Sequence, residues 1–191
     1  KIHGFYTKDE LQALVNRRKD RKDPRKQNIN NDITNRYYQK LAITSVLEKF
    51  AREVNGELRG GSRQALLVMA TGTGKTRTAI SFVDVLFKSG WISRVLFLAD
   101  RNALVTQAKR NFNKLLPHLS SVDLTKEKED KETRLVFSTY PSIMNAIDGI
   151  RSGEQRFYSV GHFDLIIIDE SHRSVYQKHK AIFEYFDALM L

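Results

Sequence analysis

The chain has 191 residues, of which 41% are apolar, enough to bury one sizeable hydrophobic core. It contains no cysteine, which excludes disulfide frameworks and thiolate metal sites, and its five histidines show no metal-binding spacing. No apolar run approaches the roughly 18 residues that a membrane helix requires, and the charged start of the chain lacks a signal-peptide core. The composition therefore predicts a globular cytoplasmic protein without membrane contact.

The formal net charge of +10 is concentrated at the start of the chain. Residues 1–40 hold 11 Lys and Arg against 5 Asp and Glu, whereas the other 151 residues hold 21 against 17. The run RRKDRKDPRKQ, residues 17–27, has two interpretations: a solvated linker, which charge runs usually form, or an arm that binds nucleic acid. Because the chain begins with Lys1, we expect residues 1–35 to be a basic head region after a missing upstream domain.

Helical and strand patterns alternate along the rest of the chain. In chain order the predicted elements are helix 37–54, strand 64–70, helix 76–89, strand 94–100, helix 102–116, strand 134–140, a weaker helix after Pro141, strand 164–170 and a weaker helix after Ser174. The strands are nearly continuous apolar runs, as expected when both faces of a strand are covered. Strands and helices that alternate over units of about thirty residues predict right-handed crossovers and an α/β fold with a mainly parallel sheet flanked by helices.

The stretch MATGTGKTRT joins a predicted strand to a predicted helix. Gly72 and Gly74 permit backbone angles that let successive N–H groups converge on one anion, at the positive end of the following helix. Lys75 adds a full charge suited to the β- and γ-phosphates of ATP, and the Thr76 hydroxyl is suited to a magnesium ligand. The strict phosphate-loop pattern has glycine where this stretch has Met69. The predicted nucleotide-binding residues of the loop are Thr71, Gly72, Thr73, Gly74, Lys75, Thr76 and Arg77.

Two adjacent carboxylates end the last predicted strand. Asp169 and Glu170 follow the run LIII, and Asp169 stands 94 residues after Lys75. A pair of this kind is often only a strand-end turn, but a nucleotide-bound magnesium needs a carboxylate opposite the phosphate loop. We therefore predict that Asp169 holds the metal, that Glu170 is the catalytic base that polarises the attacking water, and that Lys75 assists catalysis.

Two motifs together point to a known family. MATGTGKT and DESH, residues 169–172, resemble motifs I and II of superfamily 2 helicases and translocases, with Ser171 as a mild departure. RYYQ at 36–39 resembles the Q motif, FLADRNALVTQA at 97–108 resembles motif Ia, and VFSTYPS at 136–142 resembles the segment before motif II that contacts nucleic acid. The residues of these segments most resemble those of the motor (R) subunit of type I restriction enzymes. The resemblance implies a RecA-like P-loop domain.

The resemblance also assigns roles around the nucleotide. Gln39 would read the edge of adenine, for which its amide has both a donor and an acceptor, although a glutamine at a helix start can simply be exposed. Tyr37 or Tyr38 would stack on the base, or either could be a core residue, since Tyr38 shares a helical stripe with apolar residues. His172, within motif II, would couple the nucleotide site to the rest of the motor, although a lone histidine is more often structural.

Six residues follow two of the predicted strands, at the edge where the phosphate loop also emerges. By resemblance they would hold a DNA backbone through hydroxyls, amides and a helix N-terminus, without reading bases. The alternative is that Asp100 only caps its helix and Thr139 only ends a strand. These candidate DNA-binding residues are Asp100, Arg101, Asn102, Ser138, Thr139 and Tyr140.

The function implied by the resemblance is that of a motor lobe that uses ATP and Mg²⁺ to translocate double-stranded DNA before cleavage by a nuclease domain elsewhere in the full protein. Residues 36–191 would be the first RecA-like lobe, incomplete at its C-terminal end and nearly inactive as an ATPase alone. A second lobe of the same chain would complete the cleft, and modification and specificity subunits would be further partners. Two alternatives stay open: another superfamily 2 DNA or RNA helicase, and an ATP-dependent switch module that does not use nucleic acid.

Overall fold

The computed structural model describes residues 5–148, 158–169 and 179–191. Its helices are α1 (Lys8–Asp20), a 3-10 turn (Pro24–Lys26), α2 (Tyr37–Phe50), α3 (Lys75–Lys88), α4 (Asn102–Leu115), α5 (Tyr140–Asp148) and α6 (Lys180–Tyr185). Its strands are β1 (Ala51–Val54), β2 (Glu57–Gly60), β3 (Val95–Ala99), β4 (Ser121–Asp123), β5 (Leu135–Thr139), β6 (Leu165–Ile168) and β7 (Leu189–Met190). Within these ranges, no helix combines the length and apolarity needed to cross a membrane.

Five strands form one parallel sheet in the order β4-β5-β3-β6-β7. In the central register, Val95 lies opposite both Leu135 and Leu165. The connections between the parallel strands are long, as their geometry requires. Helix α4 lies between β3 and β4 along the chain and α5 follows β5, whereas the helix-free segment 124–134 joins β4 to β5. The predicted α/β fold with a mainly parallel sheet flanked by helices is confirmed.

Side chains of the central strands alternate between two buried layers. Val95 and Phe97 pack with α2, α3 and α4, whereas Leu96 and Leu98 pack with α5 and α6. Every residue of β3 and β5 is buried. This explains why both strands read as nearly continuous apolar runs, since each face of the sheet is covered by helices.

Most predicted boundaries agree with the structure to within a residue or two. Helix α3 ends at Lys88, with Gly90 at a φ of 69° just beyond, and α4 ends two residues before Pro117. The weaker helix expected after Ser174 would begin among residues 170–178, which lie outside the described residues, and helix α6 spans Lys180–Tyr185.

The helix predicted for residues 37–54 is too long. Helix α2 ends at Phe50, and β1 pairs antiparallel with β2 around the Asn55–Gly56 turn. Both turn residues have positive φ, 54° and 78°, the geometry that a tight hairpin of this hand requires. The Asn-Gly pair between two short strand-like runs was the sequence signal for this hairpin.

The strand predicted for residues 64–70 is wrong. Only Gln64 forms a β-bridge, to Met190, and the backbone N–H of Ala65 donates to the Met190 carbonyl over 2.9 Å. Further along, Leu66 is 72% exposed and Val68 is 83% exposed. The neighbouring strand β7 is two residues long, so it offers too few backbone groups to hold the whole segment in a ladder.

The basic head contains ordered structure. Thr7 and Glu10 form a reciprocal capping box at the start of α1. Further along, the backbone N–H of Lys22 donates to the Ser89 carbonyl over 2.8 Å, and the indole N–H of Trp91 donates to the Lys22 carbonyl over 2.8 Å. The charge run is therefore anchored to the end of α3, although α1 itself has no buried residue.

Candidate nucleotide site

The glycine-rich loop before α3 has the backbone shape that the sequence predicts. Gly72 and Gly74 have φ values of 77° and 90°, and Gly74 is the N-cap of α3 in the left-handed region. A Cβ at Gly74 would collide with the side-chain nitrogen of Gln39. Lys75 then begins the helix, so its backbone amide and those after it lie at the positive end of the helix dipole.

The structure brings four predicted residues to one cavity of about 800 Å³. Thr71, Lys75, Thr76 and Asp169 all line this carboxyl-edge cavity, which also extends along the irregular segment 64–69. Lys75 makes no ion pair within the described part of the chain, so its charge is available to an anion. The predicted base, Glu170, lies outside the described residues.

Asp169 is placed by the sheet. It directly follows β6, and its backbone N–H donates to the carbonyl of Leu98 over 2.9 Å, which continues the pairing with β3. Its carboxylate is half-buried and lines the carboxyl-edge cavity together with Thr76. A carboxylate and a hydroxyl are oxygen ligands of the kind that Mg²⁺ prefers, so the residues present fit that ion.

The segment that resembles the Q motif supports the loop from behind. Gln39 is 3% exposed, and its side-chain nitrogen donates to the Thr73 carbonyl over 2.8 Å while its oxygen accepts from Thr34. The Tyr38 hydroxyl donates to the same Thr73 carbonyl over 3.1 Å. Tyr38 and Gln39 thus hold the phosphate loop in place through the Thr73 carbonyl. The sequence positions of the two residues did not indicate this role.

The two tyrosines at the start of α2 do not lie in the core. Tyr37 is 79% exposed and Tyr38 is 42% exposed. The buried stripe of α2 runs instead through Gln39, Ile43 and Phe50. The core interpretation of the tyrosines is therefore wrong, and Tyr37 has an aromatic face open to solvent.

The six candidate DNA-binding residues divide into two groups. Those at the start of α4 are exposed, and the N-cap of that helix is Arg101 without a side-chain hydrogen bond, so Asp100 does not cap it. The other group is buried, which removes the expected surface for a DNA backbone there. The exposed residues are Asp100, Arg101 and Asn102, and the buried ones are Ser138, Thr139 and Tyr140.

Tyr140 occupies the interior beside the site. Its ring stacks on His179 with centroids 4.5 Å apart and an interplanar angle of 11°. Burial, and then the charges of Asp100 and Asp169, raise the pKa of the Tyr140 hydroxyl. The hydroxyl is buried without a hydrogen-bond partner among the described residues, and the contact with His179 had no signal in the sequence. His172, within motif II, lies outside the described residues.

Comparisons with known proteins agree with this architecture. The family model described as "Type III restriction enzyme, res subunit" matches residues 32–191. The chain is 36% identical over 159 residues to the endonuclease subunit of the type I restriction enzyme EcoAI from Escherichia coli, covering 80% of this chain and 18% of that subunit. It is 32% identical over 145 residues to the EcoKI endonuclease subunit from Escherichia coli strain K12, covering 72% of this chain and 11% of that subunit.

Two solved structures share the fold. A fragment described as an HsdR subunit of a type I restriction enzyme from Vibrio vulnificus YJ016 has a TM-score of 0.55 and 27% identity, over 88% of this chain and 27% of that one. A nuclease-deletion mutant of the type ISP enzyme LlaGI, in complex with a DNA substrate mimic, has a TM-score of 0.53 and 24% identity, over 81% of this chain and 17% of that one. The chain thus spans a small part of each of these relatives.

Proposed function

The chain belongs to the family described as "Type III restriction enzyme, res subunit", and from this premise we propose that it is the ATP-binding and hydrolysing lobe of a type I restriction enzyme motor subunit. The full protein would translocate double-stranded DNA before a nuclease domain elsewhere in it cleaves the DNA. The observation that carries the proposal is the convergence of Lys75, Thr76 and Asp169 on the carboxyl-edge cavity.

The chain's own residues would hold the triphosphate of ATP. The loop amides from Thr71 to Gly74 and the first turn of α3 present N–H groups to the phosphates, while Lys75 neutralises the β- and γ-phosphates. Thr76 and Asp169 would hold Mg²⁺, which neutralises charge on the transferred phosphoryl group. Arg77, at the exposed surface beside them, extends the positive charge of the site.

Adenine recognition and catalysis complete the proposal. Tyr37, exposed at the start of α2, would stack on the base, and Gln39 would contact it after exchanging one of its present partners. Glu170 would accept a proton from the attacking water, and His172 would couple the site to the rest of the motor. Asp100, Arg101 and Asn102 remain the exposed candidates for DNA contact.

One lobe carries only half of the proposed cleft. In motors with two such lobes, an arginine from the second stabilises the charge of the transition state, which is worth roughly 10³ to 10⁵ in rate. We therefore expect the 191-residue chain to bind ATP and to hydrolyse it very slowly. Modification and specificity subunits would supply DNA methylation and sequence recognition in the restriction complex.

The test separates binding from turnover. Lys75→Ala should weaken the binding of ATP far more than that of adenosine, whereas the control Lys128→Ala, in an exposed loop, should leave both unchanged. In the longer protein, Glu170→Gln should keep ATP affinity and lower DNA-stimulated turnover by roughly two or more powers of ten. Identical ATP titrations for Lys75→Ala and its parent would refute the site.

The nucleic-acid partner is tested by the same turnover assay. Stimulation of the longer protein by double-stranded DNA supports the translocase. Stimulation by RNA alone would point to another superfamily 2 helicase. Turnover that no nucleic acid changes would point to an ATP-dependent switch module.

A further inference from the structure

A second cavity of about 330 Å³ lies at the opposite end of the strands from the phosphate loop. Asp164, directly before β6, and Leu189, the first residue of β7, both line it. Helix α1, strand β2 and residues 61–63 supply much of its remaining lining. Because the strands are parallel, their amino ends share one edge of the sheet. This cavity, called the arginine cavity after the five arginines named below, is therefore separated from Lys75 and Asp169 by the length of the sheet.

The lining of the arginine cavity is strongly cationic. Two aspartates face five arginines, which leaves a surplus of three positive charges. The arginines come from helix α1, the residue after it, strand β2 and the turn before the irregular segment. They are Arg17, Arg18, Arg21, Arg59 and Arg63.

The two aspartates are already engaged within the protein. Arg17 forms an ion pair with Asp164, whose second oxygen also accepts the backbone N–H groups of residues 93–94 over 2.7 and 3.0 Å. Arg63 forms an ion pair with Asp187 at 2.5 Å. Both pairs hold the walls of the arginine cavity together, so no carboxylate of the lining is left for the other three arginines.

Arg21 is held in place at the wall of the cavity. Its guanidinium lies 4.4 Å from the centre of the Trp91 ring and donates to the Leu58 carbonyl over 3.3 Å. Burial, and then repulsion from Arg18, lower the pKa of the Arg21 guanidinium. The fold thus maintains two like charges close together, which costs stability unless an anion neutralises them.

Arg18 and Arg59 supply the charge that remains uncompensated. Arg18 is exposed and makes neither a hydrogen bond nor an ion pair with any described residue. Among the described residues Arg59 pairs with Glu57 alone, at 3.0 Å, and both side chains of that pair are more than half exposed. An exposed pair of this kind contributes little, so Arg59 can turn towards a stronger anion.

We propose that the arginine cavity binds a phosphate group, carried either by a nucleic-acid backbone or by a small phosphate anion. Guanidinium groups bind phosphate through two parallel N–H···O bonds, and their charge persists at any physiological pH. A volume of about 330 Å³ is at the lower end of the range for ligand pockets. The inference rests on the amino edge of the sheet alone and holds whether or not the carboxyl-edge cavity binds ATP.

Trp91 provides a local reporter for this site. It is the single tryptophan of the chain, it lines the arginine cavity, and Arg21 lies against its ring. Titration of the 191-residue chain with inorganic phosphate, pyrophosphate or a short DNA duplex should change the Trp91 emission saturably. The titration is repeated in a Lys75→Ala background, where we expect the same midpoint because the phosphate loop lies at the other edge.

The matched variants remove two positive charges each. Arg18→Gln with Arg59→Gln should raise the midpoint of the titration about tenfold or more, because two charged donors are lost. The control, Arg110→Gln with Lys128→Gln, alters two exposed cations on α4 and a distant loop and should shift it less than about twofold. Circular dichroism should show that both double variants are folded, with the Arg18→Gln, Arg59→Gln variant at least as stable as the control because the repulsion between Arg18 and Arg21 is removed.

The outcomes separate the sources of the phosphate. A response to the duplex at concentrations where inorganic phosphate and pyrophosphate give none assigns the cavity to a nucleic-acid backbone, and the reverse assigns it to a small anion. The proposal is overturned if no titrant changes the emission saturably. It is also overturned if both double variants shift the midpoint equally, since general electrostatics would then explain the binding.

Discussion

The centre of the sheet and the segment before the phosphate loop were both expected to be strands, yet they differ in structure. All ten residues of β3 and β5 are buried, each between two strand neighbours and two helical layers. In the segment 64–70, by contrast, one β-bridge to β7 is formed and Val68 is 83% exposed. An apolar run therefore becomes a strand only where a neighbouring strand offers hydrogen-bonding groups along its length.

This contrast predicts a large difference in stability between two apolar truncations. Phe137 in β5 is fully buried, with ring centroids 5.6 Å from Phe97 and 5.2 Å from Phe112. Phe137→Ala should lower the free energy of unfolding by about 3–5 kcal/mol, because it leaves a cavity in the aromatic cluster. Val68→Ala should change it by less than about 0.5 kcal/mol. Urea denaturation measures both values, and equal losses would show that segment 64–70 is buried in solution.

Two glycines at the ends of α3 extend the comparison to the nucleotide site. Gly74 and Gly90 flank α3 with φ values of 90° and 69°, and both disfavour a side chain. Gly74→Ala should cost about 1–3 kcal/mol of unfolding free energy, because its φ is further from the left-handed minimum and its new Cβ would displace Gln39. Gly90→Ala should cost about 1 kcal/mol, since a Cβ there meets its nearest atom at 3.7 Å.

Nucleotide binding distinguishes these two substitutions further. Gly74→Ala breaks the hold of Gln39 on the Thr73 carbonyl, so ATP affinity should fall together with stability. Gly90→Ala, at the other end of α3, should leave ATP affinity unchanged. Calorimetric titration with ATP after matching the two variants for folded fraction provides the measurement. An unchanged affinity for Gly74→Ala would mean that the loop shape does not position the phosphates.

Local signals in the sequence determined most of what could be predicted. Continuous apolar runs identified β3, β5 and β6, and Gly90 marked the end of α3, because burial on both faces and a left-handed residue each leave a signature in a short window. The phosphate loop and Asp169 were predicted to meet, and both line one cavity. The exposure of segment 64–70, the contact of Tyr140 with His179 and the arginine cavity depend on which distant elements meet, so no short window contains them.

The smallest predicted effect concerns Tyr140, which belongs to the buried centre although it follows β5 at the edge that bears the site. Its hydroxyl is buried without a partner among the described residues, so Tyr140→Phe should keep the stacking on His179 and raise the free energy of unfolding by up to about 1 kcal/mol at pH 8.

Burial raises the pKa of Tyr140 in the folded protein, so the neutral hydroxyl is favoured there. The associated stability is present below pH about 10 and is lost as the pH rises from that value towards the folded pKa. Thermal melting from pH 8 to 11 should therefore decline less steeply for Tyr140→Phe than for the parent, with a residual slope from Tyr6, whose pKa is raised mainly by burial. If the melting temperatures of Tyr140→Phe and the parent fell equally with pH, the Tyr140 hydroxyl would be solvated in solution, like the side chains of segment 64–70 and unlike those of β5.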